Sequence, residues 1–176
     1  KVRFPLLTNK INYRNHRKLV IVDGQLGYIG GMNIAERYYK GFSWGGWRDT
    51  HIRIEGMAVN ALQTSFFVDW HYASRMLVDE PVYFPKVERK GDTDMQIVTS
   101  YPMGEWKTIM QGLLQVISQS RRYLYIQTPY FMPTEPILMA LRNAALAGVD
   151  VRIMVPLRGD SLLADLASHS YYKEVM

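Results

Sequence analysis

His16 and Lys18 stand two residues apart in the run His16-Arg17-Lys18-Leu19-Val20-Ile21-Val22-Asp23. The spacing is H-x-K-x4-D, and Gly30, Gly31 and Asn33 follow as G-G-x-N. Side chains alternate along an extended chain, so His16 and Lys18 point the same way, roughly 6 to 7 Å apart. An imidazole can attack phosphorus while an ammonium holds the phosphoryl oxygens, so the pair suits phosphodiester chemistry. With 4 His in 176 residues, and with the Lys and Asp present, chance produces this pattern in roughly one chain in a hundred. The bland alternative is a solvated basic strand end, and the glycine pair with Asn33 weighs against it.

The elements that must hold these residues are legible in outline. Leu19 to Val22 is apolar on both faces, as expected of a buried central strand flanked by helices. Asp23-Gly24 signals a tight turn, and Leu26 to Ile29 reads as the returning strand. Asn33 to Tyr39 opens a helix, Gly41 to Gly46 with Phe42 and Trp44 forms a glycine and aromatic loop, and Trp47 to Ile54 alternates as a strand. Val59, Leu62, Phe66, Phe67, Trp70 and Leu77 recur at helical spacing, so Met57 to Leu77 is an amphipathic helix with a core-facing aromatic stripe. His71 beside that stripe reads as a structural histidine.

Residues 79–94 hold two prolines, a glycine and several charges, the composition of a connector. Beyond it, Met95 to Thr99 is a short strand and Glu105 to Ser118 a helix, with Ile109, Met110, Leu113, Leu114 and Ile117 on one face. Leu124 to Thr128 is a strand stopped by Pro129, Thr134 caps a helix that Gly148 ends, and Val149 to Val155 is a strand. Asp160 caps a last helix. This alternation predicts α/β organisation with a parallel sheet in the second part.

Length and composition fit one ordinary domain or two small ones, at 48% hydrophobic and 21% charged. The net charge is +5. Lys1, Arg3, Lys10, Arg14, Arg17 and Lys18 all precede the first acid, Asp23, so a basic block leads into the motif. An anionic partner follows: lipid headgroup, membrane surface or nucleic acid. The absence of cysteine excludes disulfides and thiolate metal sites. No apolar run approaches the roughly 18 residues that cross a bilayer.

The motif H-x-K-x4-D-x6-G-G-x-N resembles the signature of the phospholipase D superfamily. The flanking text, Ile11 to Lys18, Trp47-Arg48-Asp49-Thr50-His51 and Gln127 to Pro133, is similar to its bacterial cardiolipin synthase branch. The resemblance implies a phospholipase D-like mixed sheet flanked by helices, built as two pseudo-repeated halves that share one cleft. Residues 1–78 would be the C-terminal part of the first half, 79–94 a linker, and 95–176 the N-terminal part of the second half, before its own motif. The chain then reads as a fragment. Its parent would be anchored in the bacterial cell membrane by helices outside this piece, with a peripheral catalytic region.

On this resemblance the parent is a phosphatidyltransferase of phospholipid biosynthesis. It would join two phosphatidylglycerols into cardiolipin and glycerol through a phosphohistidine, with no cofactor and no metal. His16 would be the nucleophile or its acid/base counterpart, Lys18 and Asn33 would contact phosphate, and Gly31 would offer a backbone N–H where many relatives have serine. Asp23 belongs to the catalytic motif, although its place in a turn favours bonding to local amides. Asp49, 16 residues after Asn33 on a predicted strand, would orient the His16 imidazole and fix its tautomer. Its other reading is a surface pair with Arg48. The implied partners are an anionic phospholipid substrate and a membrane surface, and no nucleic acid; the resemblance fixes no oligomeric state.

His51 begins H-x-R without a following Asp at the right spacing, and His169 is followed by Tyr171, so neither completes a second motif. Tyr130 and Phe131 either line a lipid channel or pack a turn. Two rivals remain. One is a nuclease or phospholipase of the same superfamily, which the basic block also suits. The other is a non-catalytic phosphate-binding module, because no second H-x-K follows.

Overall fold

The computed structural model describes residues 15–43, 45–102 and 104–176. Lys1, Arg3, Lys10, Arg14, the segment 11–14 and Trp44, all used above, lie outside the described residues. The chain divides into two compact units, one up to Thr99 and one from Ser100. Each is a small α/β assembly.

The first unit is a three-stranded antiparallel sheet, β1 (Leu19–Val22), β2 (Leu26–Gly30) and β3 (His51–Glu55), in that order. The Asp23-Gly24 turn forms as expected. Both residues take positive φ, 54° and 63°, and Gln25 N–H donates to Val22 O at 3.0 Å. Mirror-image turns of this kind match the twist of the strands they join. One sheet face, with Leu19, Ile21, Ile29 and Ile54, packs on α2 (Ala58–Ser74) through Val59 and Leu62, both fully buried. Gly27 lets the helix seat closely, since a Cβ there would lie 2.8 Å from Leu62 Cδ1.

Several expectations change. Among the described residues β1 lies at the sheet's edge, where a buried central strand was expected, and Val20 and Val22 are 46% and 43% exposed on the face away from α2. The expected strand from Trp47 starts only at His51, because β2 ends at Gly30 and the last bond beyond it is Gly31 N–H to Thr50 O, 3.2 Å. The expected helix from Asn33 is a single turn, α1 (Arg37–Lys40), stopped at Gly41 with φ 73°. α2 ends at Arg75, in the left-handed region, and its aromatic stripe is only half core. Val59 and Leu62 are buried, whereas Phe66, Trp70 and Leu77 are exposed.

Residues 79–99 belong with this unit. A 3-10 turn at Pro81–Tyr83 accepts Gln63 Nε2 on the Tyr83 carbonyl at 2.9 Å, and Phe67 packs edge-on to Tyr83. Met95 to Thr99 joins no sheet; Ile97 instead rests on the Ile54, Val59 and Leu62 cluster.

The second unit holds α3 (Thr108–Gln119), β4 (Tyr123–Gln127), α4 (Glu135–Leu146), β5 (Asp150–Met154) and α5 (Leu162–Val175). β4 and β5 pair in parallel from Tyr123↔Asp150 to Gln127↔Met154, connected by α4 as the sequence suggested. Ile117, Phe131, Leu141, Ala144 and Val149 form its core. Phe131 is therefore a packing residue, while the Tyr130 hydroxyl donates to Asp160. The α5 cap is Ser161, whose Oγ accepts from Ala164 N, so Asp160 does not cap it.

Candidate active site

The open end of the first sheet gathers most of the predicted residues. His16 and Lys18 lie immediately before β1, not within it. Lys18 Nζ folds back to donate to the His16 carbonyl at 2.7 Å. Arg17 turns the other way, toward α2. Its Nη1 meets both carboxylate oxygens of Asp69 at 2.7 Å, and its N–H donates to Asn15 Oδ1 at 2.9 Å. Asn15 Nδ2 also donates to Asp69 Oδ2, at 2.8 Å.

The β1–β2 register pairs Leu19 with Ile29, so one step back sets Lys18 opposite Gly30. Gly30 pairs in turn with His51 on β3. Lys18 and His51 thus flank a glycine on one sheet face, the face away from α2. Gly30 is needed there, because a Cβ would come within 2.6 Å of His51 Nδ1. That nitrogen is buried and has no hydrogen-bond partner among the described residues. His51 carries no motif of its own, and the signal for it in the sequence is that a glycine of the G-G pair can face it across the sheet.

Gly31 plays a different part from the one expected. Its N–H donates to Thr50 O, so it is not available to a phosphate as expected of a lone backbone donor. Its bare α-carbon instead makes room for Asp49, whose Oδ2 would lie 2.8 Å from a Cβ at this position. Asp49 is thereby brought to the same end of the sheet. Its recorded hydrogen bond runs from Thr50 N–H to Oδ1 at 2.7 Å, and it does not reach the His16 imidazole. Asn33 is held by Tyr38, with Nδ2 donating to the hydroxyl at 2.6 Å, and Tyr38 packs edge-on to Trp47 at 5.1 Å.

Asp23 stands apart. Five extended residues of about 3.3 Å each put it roughly 16 Å from Lys18, in the hairpin turn at the far end of β1. Its φ of 54° fits the hairpin turn, at the opposite end of β1 from His16 and Lys18. A groove of about 420 Å³ between Gln25, Arg53, Gly56 and Lys86 also lies at that far end, away from His16.

The second unit contains one strongly coupled polar group, on the exposed face of its sheet. Tyr125 hydroxyl donates to Asp150 Oδ2 at 2.8 Å, and Arg152 Nε donates to Asp150 Oδ1 at 3.0 Å. The Arg152 and Tyr125 hydrogen bonds hold the Asp150 carboxyl below its usual range, and the bond to Asp150 pushes the Tyr125 phenol up. Among the described residues no cluster of three or more His, Asp or Glu could hold a metal, and no helix is long and apolar enough to cross a membrane.

Residues 113–176, in the second unit, match the family model described as cardiolipin synthase, PLD-like domain. Curated relatives extend the match through the first unit. The chain is 46% identical to a cardiolipin synthase of Listeria welshimeri over 99% of its own length and 37% of the relative. It is 47% identical to the major cardiolipin synthase of Bacillus subtilis over 95% of its length and 35% of the relative. A cardiolipin synthase of Geobacillus thermodenitrificans is 41% identical over 99% of the chain and 36% of that protein. The chain spans little more than a third of the length of these relatives.

Proposed function

We propose that this chain, similar along almost its whole length to cardiolipin synthases of the phospholipase D-like class, contributes one half of a phosphatidyltransferase site. The observation that carries the reading is that His16 and Lys18 lead into β1 at the end of the sheet where Asp49 stands beside Gly31.

A phosphodiester repels nucleophiles and has a poor alkoxide leaving group. An imidazole nitrogen of His16 attacks phosphorus, the bond to the departing glycerol oxygen breaks, and that oxygen takes a proton from a general acid on the opposite side. Lys18 holds the charge that gathers on the phosphoryl oxygens. A hydroxyl of a second phosphatidylglycerol then attacks the phosphohistidine and gives its proton to the group that was the acid. The products are cardiolipin and glycerol. His16 could equally be the acid/base member of the pair, and no second H-x-K follows in this chain to take the opposite role. The working site would lie at a membrane surface, where the substrate is, with no metal or cofactor in either step.

Asp49 is proposed to act on His16 once substrate is bound. Asn33, held by Tyr38, would meet the phosphate. Gly31 contributes space in this scheme.

The test is turnover of phosphatidylglycerol vesicles by a protein that carries this chain at the length of its relatives. Cardiolipin and free glycerol in equal amounts are expected. Phosphatidic acid in place of cardiolipin, with glycerol still released, would make it a hydrolase, and turnover of DNA but not lipid would make it a nuclease.

A further inference from the structure

We infer that Asp69 on α2 is a positioning residue for His16, acting through both of the histidine's neighbours. This rests on His16 being the reactive group of the proposed site. The His16 imidazole makes no hydrogen bond of its own among the described residues; only its backbone carbonyl is engaged, by Lys18 Nζ. The Asp49 hydrogen bond runs to Thr50 N–H. Where the ring points is therefore set by the backbone from Asn15 to Arg17.

One carboxylate reaches both neighbours of His16. Asp69 Oδ2 accepts from Asn15 Nδ2 at 2.8 Å, and both Asp69 oxygens accept from Arg17 Nη1 at 2.7 Å. Arg17 N–H closes the ring onto Asn15 Oδ1 at 2.9 Å. Asn15 and Arg17 face α2, so alternation turns His16 and Lys18 to the opposite side. A mere helix-to-strand anchor would need only the Arg17 pair. The Asn15 bonds add little to such an anchor, but they restrict rotation of the peptides on both sides of His16. The Arg17 and Asp69 side chains are each 25% exposed, which shields the pair from the full screening of a surface ion pair. Charge-assisted bonds of this length are the stronger class. A reactive group held by such support keeps its geometry without a contact to the ring itself.

The experiment uses the 176-residue chain with isotope-labelled histidine, observed by NMR. In Asp69→Ala the His16 ring and amide signals should broaden or move toward free-peptide positions, while His51, His71 and His169 keep theirs. Affinity for tungstate, a phosphate mimic followed at Lys18, should fall about tenfold, the scale of losing a supporting partner behind a binding group. Unchanged His16 signals in a folded Asp69→Ala variant would overturn the inference, and so would a His16 already mobile in the wild type. Should that variant unfold, Asn15→Ala decides, because it leaves the Arg17 pair intact. His16 must loosen there too, and an unchanged His16 refutes the proposal. Wild-type chain that binds no tungstate would sink the phosphoryl reading of the site, and the His16 signals would still report on Asp69.

Discussion

Asp69 and Asp150 are each bound by an arginine and one further donor, yet they do opposite things in the molecule. Asp69 joins residues more than fifty positions away, Asn15 and Arg17, to a helix. Asp150 takes Arg152 two positions along its own strand and Tyr125 diagonally across the sheet, opposite Arg152. The first arrangement is half-buried and ties the segment before β1 to α2. The second is exposed and decorates two strands whose register is already fixed by their backbone ladder. A carboxylate's partners matter less than whether the chain it ties down has any other support. The exposed group satisfies itself; the half-buried one leaves His16 and Lys18 facing outward with nothing paired to the imidazole.

The largest expected effect removes what the first arrangement holds. In a protein of the relatives' length, His16→Ala should abolish cardiolipin formation, to less than about a hundredth of wild type, because losing a nucleophile costs several kcal/mol of barrier. The thermal melt should not move, since His16 is exposed. Turnover within tenfold of wild type would make the two carboxylate arrangements alike in having no chemical purpose.

Next comes the helix that presents Asp69. Leu62 is fully buried between α2 and the sheet. Leu62→Ala should destabilise the first unit by about 2 to 5 kcal/mol, read by chemical denaturation. The Asp150 group has no comparable dependence, because it needs only β4 and β5. If Leu62→Ala released Tyr125 and Asp150 as readily as Arg17 and Asp69, the contrast between the regions would fail.

A smaller effect tests the glycine that clears space for Asp49. Gly31→Ala should cost about 1 to 3 kcal/mol, the usual range for overpacking. The inserted methyl meets a carboxylate 2.8 Å away at Oδ2. Asp49→Ala in the same chain should recover most of that loss, and a double-mutant cycle measures the coupling. Strictly additive effects would mean that Gly31 and Asp49 do not crowd one another in solution.

How much of this was legible varies with the range of the interaction. The Asp23-Gly24 turn and the β4–α4–β5 unit were readable, because each depends on residues close in sequence and on hydrophobic period. The open face of β1 was not. Leu19 to Val22 is apolar throughout, and nothing in four residues says whether a second layer exists to cover Val20 and Val22. At the site, the His16 and Lys18 alternation was visible, but its complement was not. Arg17 must face the other way by the same rule, but its pairing with Asp69 spans some fifty residues and leaves no local pattern in the sequence. Gly31 was read from the resemblance as a backbone N–H donor, and the sequence does not say what stands beside its α-carbon. The Asp49 carboxylate fills that space.

The smallest expected effect concerns the exposed arrangement. Its hydrogen bond to Asp150 raises the Tyr125 phenol above the usual value near 10. Any stabilisation tied to that proton is therefore complete below the unfolded tyrosine's pKa and is lost as pH rises through the folded one. Asp150 works in the opposite direction. Its carboxyl is depressed by Arg152 first and Tyr125 second, so its contribution is present above the unfolded value and fades as pH falls through the folded one. Both groups are exposed, and solvent screening should leave the melting temperature almost unchanged across the window between them. The sensitive readout is the phenol's own ultraviolet titration. In Asp150→Asn the Tyr125 transition should shift down toward the ordinary value, identified by its loss in Tyr125→Phe. Added salt should shrink what remains of the difference, since the charge of Arg152 acts on the ring from an exposed position 5.2 Å away. A Tyr125 titration that ignores Asp150→Asn would mean that the bond does not persist in solution. The exposed carboxylate would then be less organised than its distances suggest, and the difference from Asp69 would be wider still.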